Sequence, residues 1–152
     1  EVQYAVSKGA RVIGIASAGN ADYLRSIGAI PISYHESIKE KIQELSGVTV
    51  TKMLDCYGGD YVKLGFQLGL RGDQIATLVP SPSAILKGAQ FTGPRHSQYD
   101  DFLSLAELVS KGEVSVRLDK IYPFSLLEIK EAYKDLEKGH TRGKRVIVIQ
   151  EE

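Results

Sequence analysis

Residues 9–34 constrain the fold of this chain more than any other stretch. They contain a short run of β-branched and apolar residues, Val12–Ala16, which is typical of a buried strand. A polar turn at residues 17–20 leads from this run into an amphipathic segment that ends at Gly28. A buried strand followed by a helix that ends at glycine predicts one βα unit of a parallel sheet.

The remaining chain continues this alternation. β-Branched and apolar runs predict strands, and amphipathic segments that end near glycines predict helices. The predicted strands cover residues 29–33, 48–57, 73–80, 85–92, 114–118, 121–124 and 146–149, and the predicted helices cover residues 1–8, 21–27, 37–45, 60–68, 99–111 and 126–138. This order predicts an α/β fold with a doubly wound, mostly parallel sheet.

Composition excludes several classes of function. The 152 residues suffice for one domain, and 43% apolar with 25% charged residues is ordinary for a globular protein. Nineteen basic and nineteen acidic side chains give no net charge, so we expect neither nucleic acid nor a membrane surface as partner. With no long apolar run, no signal peptide and only Cys56, we expect a cytoplasmic protein without a disulfide.

The residue that follows the first strand bears on nucleotide recognition. In dinucleotide-binding folds an acidic residue at this place accepts a hydrogen bond from the ribose 2′-hydroxyl, whereas an uncharged residue leaves room for a 2′-phosphate. Here Ser17 follows the strand, and the first carboxylate is Asp22. If a dinucleotide binds, we therefore expect NADP(H) rather than NAD(H). Alternatively, Ser17 and Asn20 only form a turn and a helix N-cap.

Six motifs follow one another through nearly the whole chain: GARVIGIAS…LRSIGA, LDCYGGDYVKLG, DQIATLVP, LKGAQFTG, LAELVSKGEV and KGHTRGKRVIVI. In this order and spacing they resemble the C-terminal half of the medium-chain dehydrogenase/reductase superfamily, within its zinc-type alcohol dehydrogenase and quinone oxidoreductase group. The resemblance implies a Rossmann-type nucleotide-binding domain over residues 1–152, with sheet order 3-2-1-4-5-6 and with residues 113–152 as a C-terminal return segment.

The resemblance also implies that the chain is a fragment. It would supply strands 2 to 6, whereas strand 1 and its glycine-rich loop G-x-G-x-x-G would precede Glu1. The open edges of strands 2 and 4 would then pair with each other, pair with another chain, or remain disordered.

A set of cofactor-binding positions follows from the same resemblance. Ser17 matches the family position that discriminates the 2′-group of the ribose, and Tyr34 matches a tyrosine near the adenosine phosphate. The loop after strand 4 and the end of strand 5 would pass the cofactor, and a terminal R-G-K would lie near its phosphates. The positions are Ser17, Tyr34, Cys56, Tyr57, Gly58, Leu78, Val79, Pro80, Arg142 and Lys144.

Simpler interpretations stay open for several of these residues. Tyr34 is equally consistent with a half-buried aromatic at a strand end, and Cys56 with a packing residue. Arg142 and Lys144 are also consistent with a solvated charge cluster. Asp55 is expected to support a turn rather than to act as a base.

Three functional hypotheses result. The first is the NADP(H)-binding part of an oxidoreductase that transfers hydride between nicotinamide and a carbonyl, quinone or enone. Its catalytic residues and its contacts with the small-molecule substrate would lie in a domain absent from this chain, which would be inactive alone. The second is a non-catalytic dimerisation module in which residues 85–92 form an edge strand. The third is a non-redox binder of a nucleotide or S-adenosylmethionine.

We expect no metal site within the chain. Three histidines, His35, His96 and His140, are scattered without the spacing of metal ligands, and the single cysteine excludes a cysteine-based zinc site.

Overall fold

The computed structural model describes residues 1–45, 47, 49–79, 81–92, 97–139 and 141–149. The chain divides into two compact units, Glu1–Ser104 and Leu105–Glu152.

The first unit contains two parallel sheets. Strand β1 (Val12–Ala16) pairs with β2 (Ala29–Ser33), as the sequence predicts. Strand β3 (Met53–Asp55) pairs with β4 (Ile75–Thr77), which also pairs with β5 (Gln90–Phe91). All of these pairings are parallel, so the α/β fold class is confirmed.

Short helices connect these strands. A helix precedes the first strand, and the others follow one after another. They are α1 (Val2–Ser7), α2 (Ala21–Ser26), α3 (Ile38–Glu44), α4 (Tyr61–Gln67), α5 (Pro82–Leu86) and α6 (Tyr99–Ser110), which crosses the boundary between the units. Gly28 ends the second helical segment with φ +84°, and a Cβ there would lie 2.8 Å from Val6 Cγ1. Within the described residues no helix has the length and apolarity needed to cross a membrane.

The core of the first unit lies against the three-stranded sheet. Helix α4 approaches this sheet closely because Gly65 has no side chain, and a Cβ there would lie 2.8 Å from Ile75 Cδ1. Ile75 is fully buried, so burial of its apolar side chain stabilises the position of the middle strand, β4. The buried cluster consists of Val62, Leu70, Ile75, Ala84 and Ala89.

The predicted strand at residues 85–92 is wrong over its first half. Helix α5 occupies Pro82–Leu86, and only Gln90–Phe91 form a strand. The physical reason is local: proline at the first helical position has the required φ, and its missing N–H is one that a helix start does not use. The predicted edge strand is therefore two residues long.

The two sheets of the first unit are not joined by strand pairing. Among the described residues, β1 pairs only with β2, and β3 pairs only with β4. In the family numbering, β1 and β2 are strands 2 and 3, and β3, β4 and β5 are strands 4, 5 and 6. The observed pairings are therefore those of the order 3-2-1-4-5-6 with strand 1 left out. Direct pairing between family strands 2 and 4, one of the three alternatives, does not occur in the described part of the chain.

Two predicted strands are shorter in the structure. Among the described residues of 48–57 only Met53–Asp55 form a strand, and among those of 73–80 only Ile75–Thr77 do, directly after a 3₁₀ turn at Gly72–Gln74. The β-branched residues flanking these strands have no neighbouring strand in the described structure, and propensity alone does not make a strand.

The second unit is built around one parallel pair of strands. Strand β6 (Leu118–Pro123) pairs with β7 (Lys144–Val148), and helix α7 (Leu126–Glu137) connects them. Ser125 caps the helix, because its Oγ accepts a hydrogen bond from the Glu128 backbone N–H at 3.2 Å. Of the predicted extended segments, 114–118 contributes only Leu118 to β6, and 121–124 contributes its first three residues.

A charged network links β6 to α7. The fully buried Tyr122 donates its hydroxyl proton to Asp135 Oδ2 at 2.8 Å. Lys138 and Lys120 also donate to this carboxylate, at 2.8 Å and 3.0 Å. Hydrogen bonds from Lys138, Lys120 and Tyr122 hold the pKa of Asp135 well below its ordinary value.

Amide exchange of the 152-residue chain tests the open edge of β1. The Ala16 carbonyl accepts a hydrogen bond from the Tyr34 N–H of the neighbouring strand. The backbone N–H and C=O groups of Gly14 and Ala16 therefore point toward β2, whereas those of Ile13 and Ile15 point away from it. We expect the amides of Ile13 and Ile15 to exchange at least about tenfold faster than that of Gly14. Equal protection of Ile13, Gly14 and Ile15 in a dilute monomer would show that this edge is paired.

Acid titration tests the network at Asp135. A carboxylate with a lowered pKa in the folded state stabilises the fold above its unfolded pKa, about 3.9, and loses this contribution as pH falls further. We expect Asp135→Asn to lower stability to urea at pH 7, with a difference from wild type that shrinks below about pH 4. The exposed Asp22 is the matched control, since Asp22→Asn removes only a surface pair with Arg25. A difference independent of pH would contradict the network's ionic role.

Candidate functional site

The carboxyl ends of β1 and β2 lie side by side. Ser17 directly follows β1 and Tyr34 directly follows β2, with Ala16 opposite Ser33 in the pairing. The Tyr34 backbone N–H donates to the Ala16 carbonyl at 3.1 Å. The structure therefore brings together two predicted site residues at the edge where parallel α/β sheets bind ligands.

The turn after β1 is uncharged. Asn20 Nδ2 donates to Ser17 Oγ at 3.1 Å, so the two residues form a local turn contact. Asn20 occupies the N-cap position of α2, but its side chain makes no capping hydrogen bond. Asp22 is turned into solvent, where its fully exposed side chain pairs with Arg25. The polar groups of Ser17 and Asn20 thus form a neutral lip at this end of β1.

The carboxyl ends of β3 and β4 form the second part of the site. Asp55 Oδ1 accepts hydrogen bonds from the backbone N–H groups of Tyr57 and Gly58, at 3.0 Å and 2.8 Å. The prediction that Asp55 supports a turn is confirmed. The Leu78 N–H donates to the Asp55 carbonyl at 2.8 Å, so the loops after β3 and β4 start next to each other.

Gly58 allows these two loops to touch. Its φ of +90° is unfavourable for other residues, and a Cβ would lie 2.8 Å from Val79 Cγ1. The close approach expected at this glycine is therefore made by the neighbouring loop. Beside it, Leu78 is exposed and leaves an apolar surface next to the buried backbone of Gly58.

Three tyrosines, Tyr34, Tyr57 and Tyr61, follow the strand ends of the first unit. The ring of Tyr57, 82% exposed, meets the ring of Tyr61 edge-on, with centroids 5.8 Å apart. Burial raises the pKa of Tyr61, and repulsion from Tyr57, Asp55 and Tyr34 in their ionised forms raises it further. Tyr57 after β3 is thus a neighbour of Tyr61, and Tyr34 after β2 presents a second exposed ring. Exposed aromatic rings at a sheet edge suit a ligand that contains a flat ring.

Sequence reasoning missed a cleft next to these rings. An open cleft of about 680 Å³ lies between α3 and α4, with Tyr61 in its lining. The two helices lie in separate parts of the sequence, and their amphipathic patterns do not show that their first turns face each other. The lining residues are Ile38, Lys39, Glu40, Asp60, Tyr61, Lys63, Leu64 and Gln67.

Cys56 is unsuited to nucleophilic chemistry. Partial desolvation raises the pKa of its thiol to about 12, and the hydrogen bond that the thiol donates to Glu1 Oε2 at 2.8 Å adds to the effect. A thiol with this pKa stays protonated at physiological pH. The side chain is exposed, so it does not act as an interior packing residue either.

Three predicted positions fall outside the described part of the first unit. Arg142 and Lys144 belong to the second unit, where both are exposed and the Lys144 N–H donates to the Arg117 carbonyl at 2.8 Å. Pro80 lies outside the described residues. Within the first unit, Ser17 and Tyr34 lie together at the end of one sheet, and Cys56, Tyr57, Gly58, Leu78 and Val79 lie together at the end of the other.

The described residues do not fit a zinc site. Nowhere in the described ranges do three histidine, cysteine, aspartate or glutamate side chains group closely enough to hold a metal ion. Of the histidines, His96 and His140 lie outside these ranges. A dinucleotide fits better, since the edge offers neutral hydroxyl and amide groups together with exposed rings.

The chain is similar to proteins of a known family. Residues 35–147 match the zinc-binding dehydrogenase family. A probable zinc-binding oxidoreductase, mitochondrial, from Arthroderma benhamiae is 26% identical over 147 residues, which cover 91% of this chain and 44% of that protein. The NAD(P)H oxidoreductase RTN4IP1, mitochondrial, of Bos taurus is 27% identical over 168 residues, covering 91% of this chain and 41% of that protein.

A solved structure agrees with the sequence matches. The quinone oxidoreductase from Coxiella burnetii superposes with a TM-score of 0.78 at 28% identity, covering 98% of this chain and 48% of that one. The chain thus spans slightly less than half the length of these proteins. Since the family match covers well over half of its residues, the chain belongs to the zinc-binding dehydrogenase family and corresponds to the C-terminal, Rossmann-like half of medium-chain dehydrogenases/reductases.

Proposed function

We propose that this chain is the NADP(H)-binding part of an oxidoreductase. The observation that carries the proposal is the neutral lip of Ser17 and Asn20 at the carboxyl end of β1, next to the exposed ring of Tyr34. Family membership supports a redox role, and one relative is named an NAD(P)H oxidoreductase. A non-redox nucleotide binder of the same fold has less support.

The adenosine end of the cofactor binds at β1 and β2. Ser17 and Asn20 offer a hydroxyl and an amide to the ribose 2′-phosphate without a repelling charge. Glu36 is the carboxylate that follows β2. Its Oε2 already accepts a hydrogen bond from the Ser33 N–H at 2.8 Å. The exposed ring of Tyr34, and the ring of Tyr61 in the lining of the cleft between α3 and α4, provide flat surfaces for the adenine.

The nicotinamide end binds at the loops after β3 and β4. Gly58 and Val79 bring these loops into contact, and Leu78 offers exposed apolar surface to the ring. When bound, the nicotinamide supplies a hydride donor or acceptor, and the residues of this chain only bind and orient it. In the second unit, Arg142 and Lys144 are the cations proposed to pair with the cofactor phosphates.

The substrate belongs to the rest of the full-length protein. We propose a carbonyl, quinone or enone that accepts or donates hydride, with catalytic residues in the half that the relatives contain beyond this match. The chain without that half is then inactive. Both relatives are named mitochondrial, and the cytoplasmic location remains a prediction.

The edge of β5 supports a second role, in dimerisation. Gln90 and Phe91 are exposed, and β5 pairs with β4 on one side only among the described residues. An open edge of this kind is suited to pairing with the same strand of a second copy.

Cofactor titration of the full-length protein tests the first role. Titrations follow the fluorescence of NADPH and NADH and the heat of binding of S-adenosylmethionine. We expect NADPH to bind at least about tenfold more tightly than NADH, and Ser17→Asp to reverse the preference because a carboxylate repels the 2′-phosphate.

Asp22→Asn is the control for this titration, since Asp22 points into solvent and its replacement should leave the NADPH-to-NADH ratio unchanged. Tighter binding of NADH by the wild type would contradict the role of the neutral lip. Binding of S-adenosylmethionine alone would favour the non-redox alternative.

The solution mass of the full-length protein tests the second role. The Thr92 N–H donates to the Thr77 carbonyl, so the N–H of Phe91, one residue earlier, points away from β4. We expect a wild-type dimer and a monomer for Phe91→Pro, which removes this N–H. Phe91→Ala keeps the N–H and controls for loss of the ring. A wild-type monomer at micromolar concentration would exclude dimerisation through this edge.

A further inference from the structure

A buried polar pair connects β3 to β4 where both strands end. Asp55 and Thr77, opposite each other in the parallel pairing, are 2% and 0% exposed. The Thr77 hydroxyl donates to Asp55 Oδ2 at 2.8 Å, and the other carboxylate oxygen, Oδ1, accepts from Tyr57 and Gly58. One carboxylate thus holds its own loop and the neighbouring strand.

Thr77 extends the network into the second loop. Its Oγ1 accepts from the Val79 N–H at 3.0 Å and lies 3.0 Å from the Val79 carbonyl oxygen. The backbone of Tyr57 and Gly58 after β3 is therefore connected through two side chains to the backbone of Val79 after β4. Gly58 and Val79 also touch directly.

A buried polar pair at this position is unusual for residues that only pack. The core cluster below the same sheet is apolar, and a buried carboxylate is costly unless its oxygens are hydrogen-bonded. Strand pairing ends at Asp55 and Thr77, so the ladder does not determine the shape of the loops beyond them. The side-chain network supplies that constraint for both loops together.

We propose that Asp55 and Thr77 are positioning residues that hold the loops after β3 and β4 in one shared arrangement for the nicotinamide half of the dinucleotide. This inference rests on the proposed function, since it assumes that the cofactor lies against these loops. The pair does not contact the cofactor. It acts through the backbone of Tyr57, Gly58 and Val79.

Paired substitutions in the full-length protein separate positioning from simple stability. Asp55→Ala removes all three of the carboxylate's hydrogen bonds. Asp55→Asn preserves the number of hydrogen bonds. Its amide oxygen accepts from the two loop N–H groups, and its amide nitrogen donates to Thr77 Oγ1. In the same way, Thr77→Val removes the hydroxyl and Thr77→Ser retains it. Ile75→Val is the matched control, a buried change in the same strand away from the loops.

We expect Asp55→Ala and Thr77→Val to raise the Kd for NADPH about tenfold. Asp55→Asn and Thr77→Ser should stay within about twofold of wild type. Ile75→Val should lower the melting temperature and leave the Kd unchanged, because its cavity lies in the core.

Amide exchange without cofactor gives a second readout. In Asp55→Ala, the amide of Val79 should exchange faster together with those of Tyr57 and Gly58, although Val79 lies in the loop that follows the neighbouring strand. Ile75→Val should leave the exchange of these three amides unchanged. Faster exchange confined to Tyr57 and Gly58 would show two independent loops and overturn the proposal.

The outcomes distinguish this inference from the function on which it rests. A wild type that binds NADPH, with an unchanged Kd in folded Asp55→Ala, overturns the positioning role alone. A wild type that binds no dinucleotide overturns the proposed function and this inference with it. If Asp55→Ala does not fold, the comparison of Thr77→Val with Thr77→Ser decides, and equal affinities of these two variants contradict the role.

Discussion

Parallel pairing of strands is the constraint on which the site depends. Because parallel strands run in one direction, the residues that follow them emerge at the same edge. Ser17 and Tyr34 meet at this edge through the pairing of β1 with β2, and Cys56 and Leu78 meet through the pairing of β3 with β4. The residues of the candidate site come from separate parts of the sequence, and backbone hydrogen bonds alone bring them together in these two pairs.

The edge combines two kinds of environment. At β1 and β2 it presents neutral polar groups and an exposed ring, which suits recognition of a phosphorylated ribose and a base. At β3 and β4 a buried carboxylate organises the loops from below, and the surface is apolar. In the proposed function the first part contacts the ligand directly, whereas the second needs internal support because its loops extend beyond the strand ladder.

Local chemistry predicted most of the elements correctly. Strands β1 and β2 have the bounds that the sequence predicts, and Gly28 ends its helical segment as expected. The main error concerned residues 85–92, where the apolar residues suggested a strand although Ser81 and Pro82 mark a helix start. A short apolar run does not distinguish strand from helix, and the signals that flank it decide.

The sequence by itself determined the fold class, the neutral residue after the first strand and the turn at Asp55, because each depends on residues close together in the chain. Only the tertiary structure decided that Thr77 completes the hydrogen bonds of Asp55, that Gly58 touches Val79 and that α3 and α4 enclose a cleft. Those contacts join residues about twenty positions apart, and their geometry follows from how strands pair and helices pack on the sheet, which no local pattern contains.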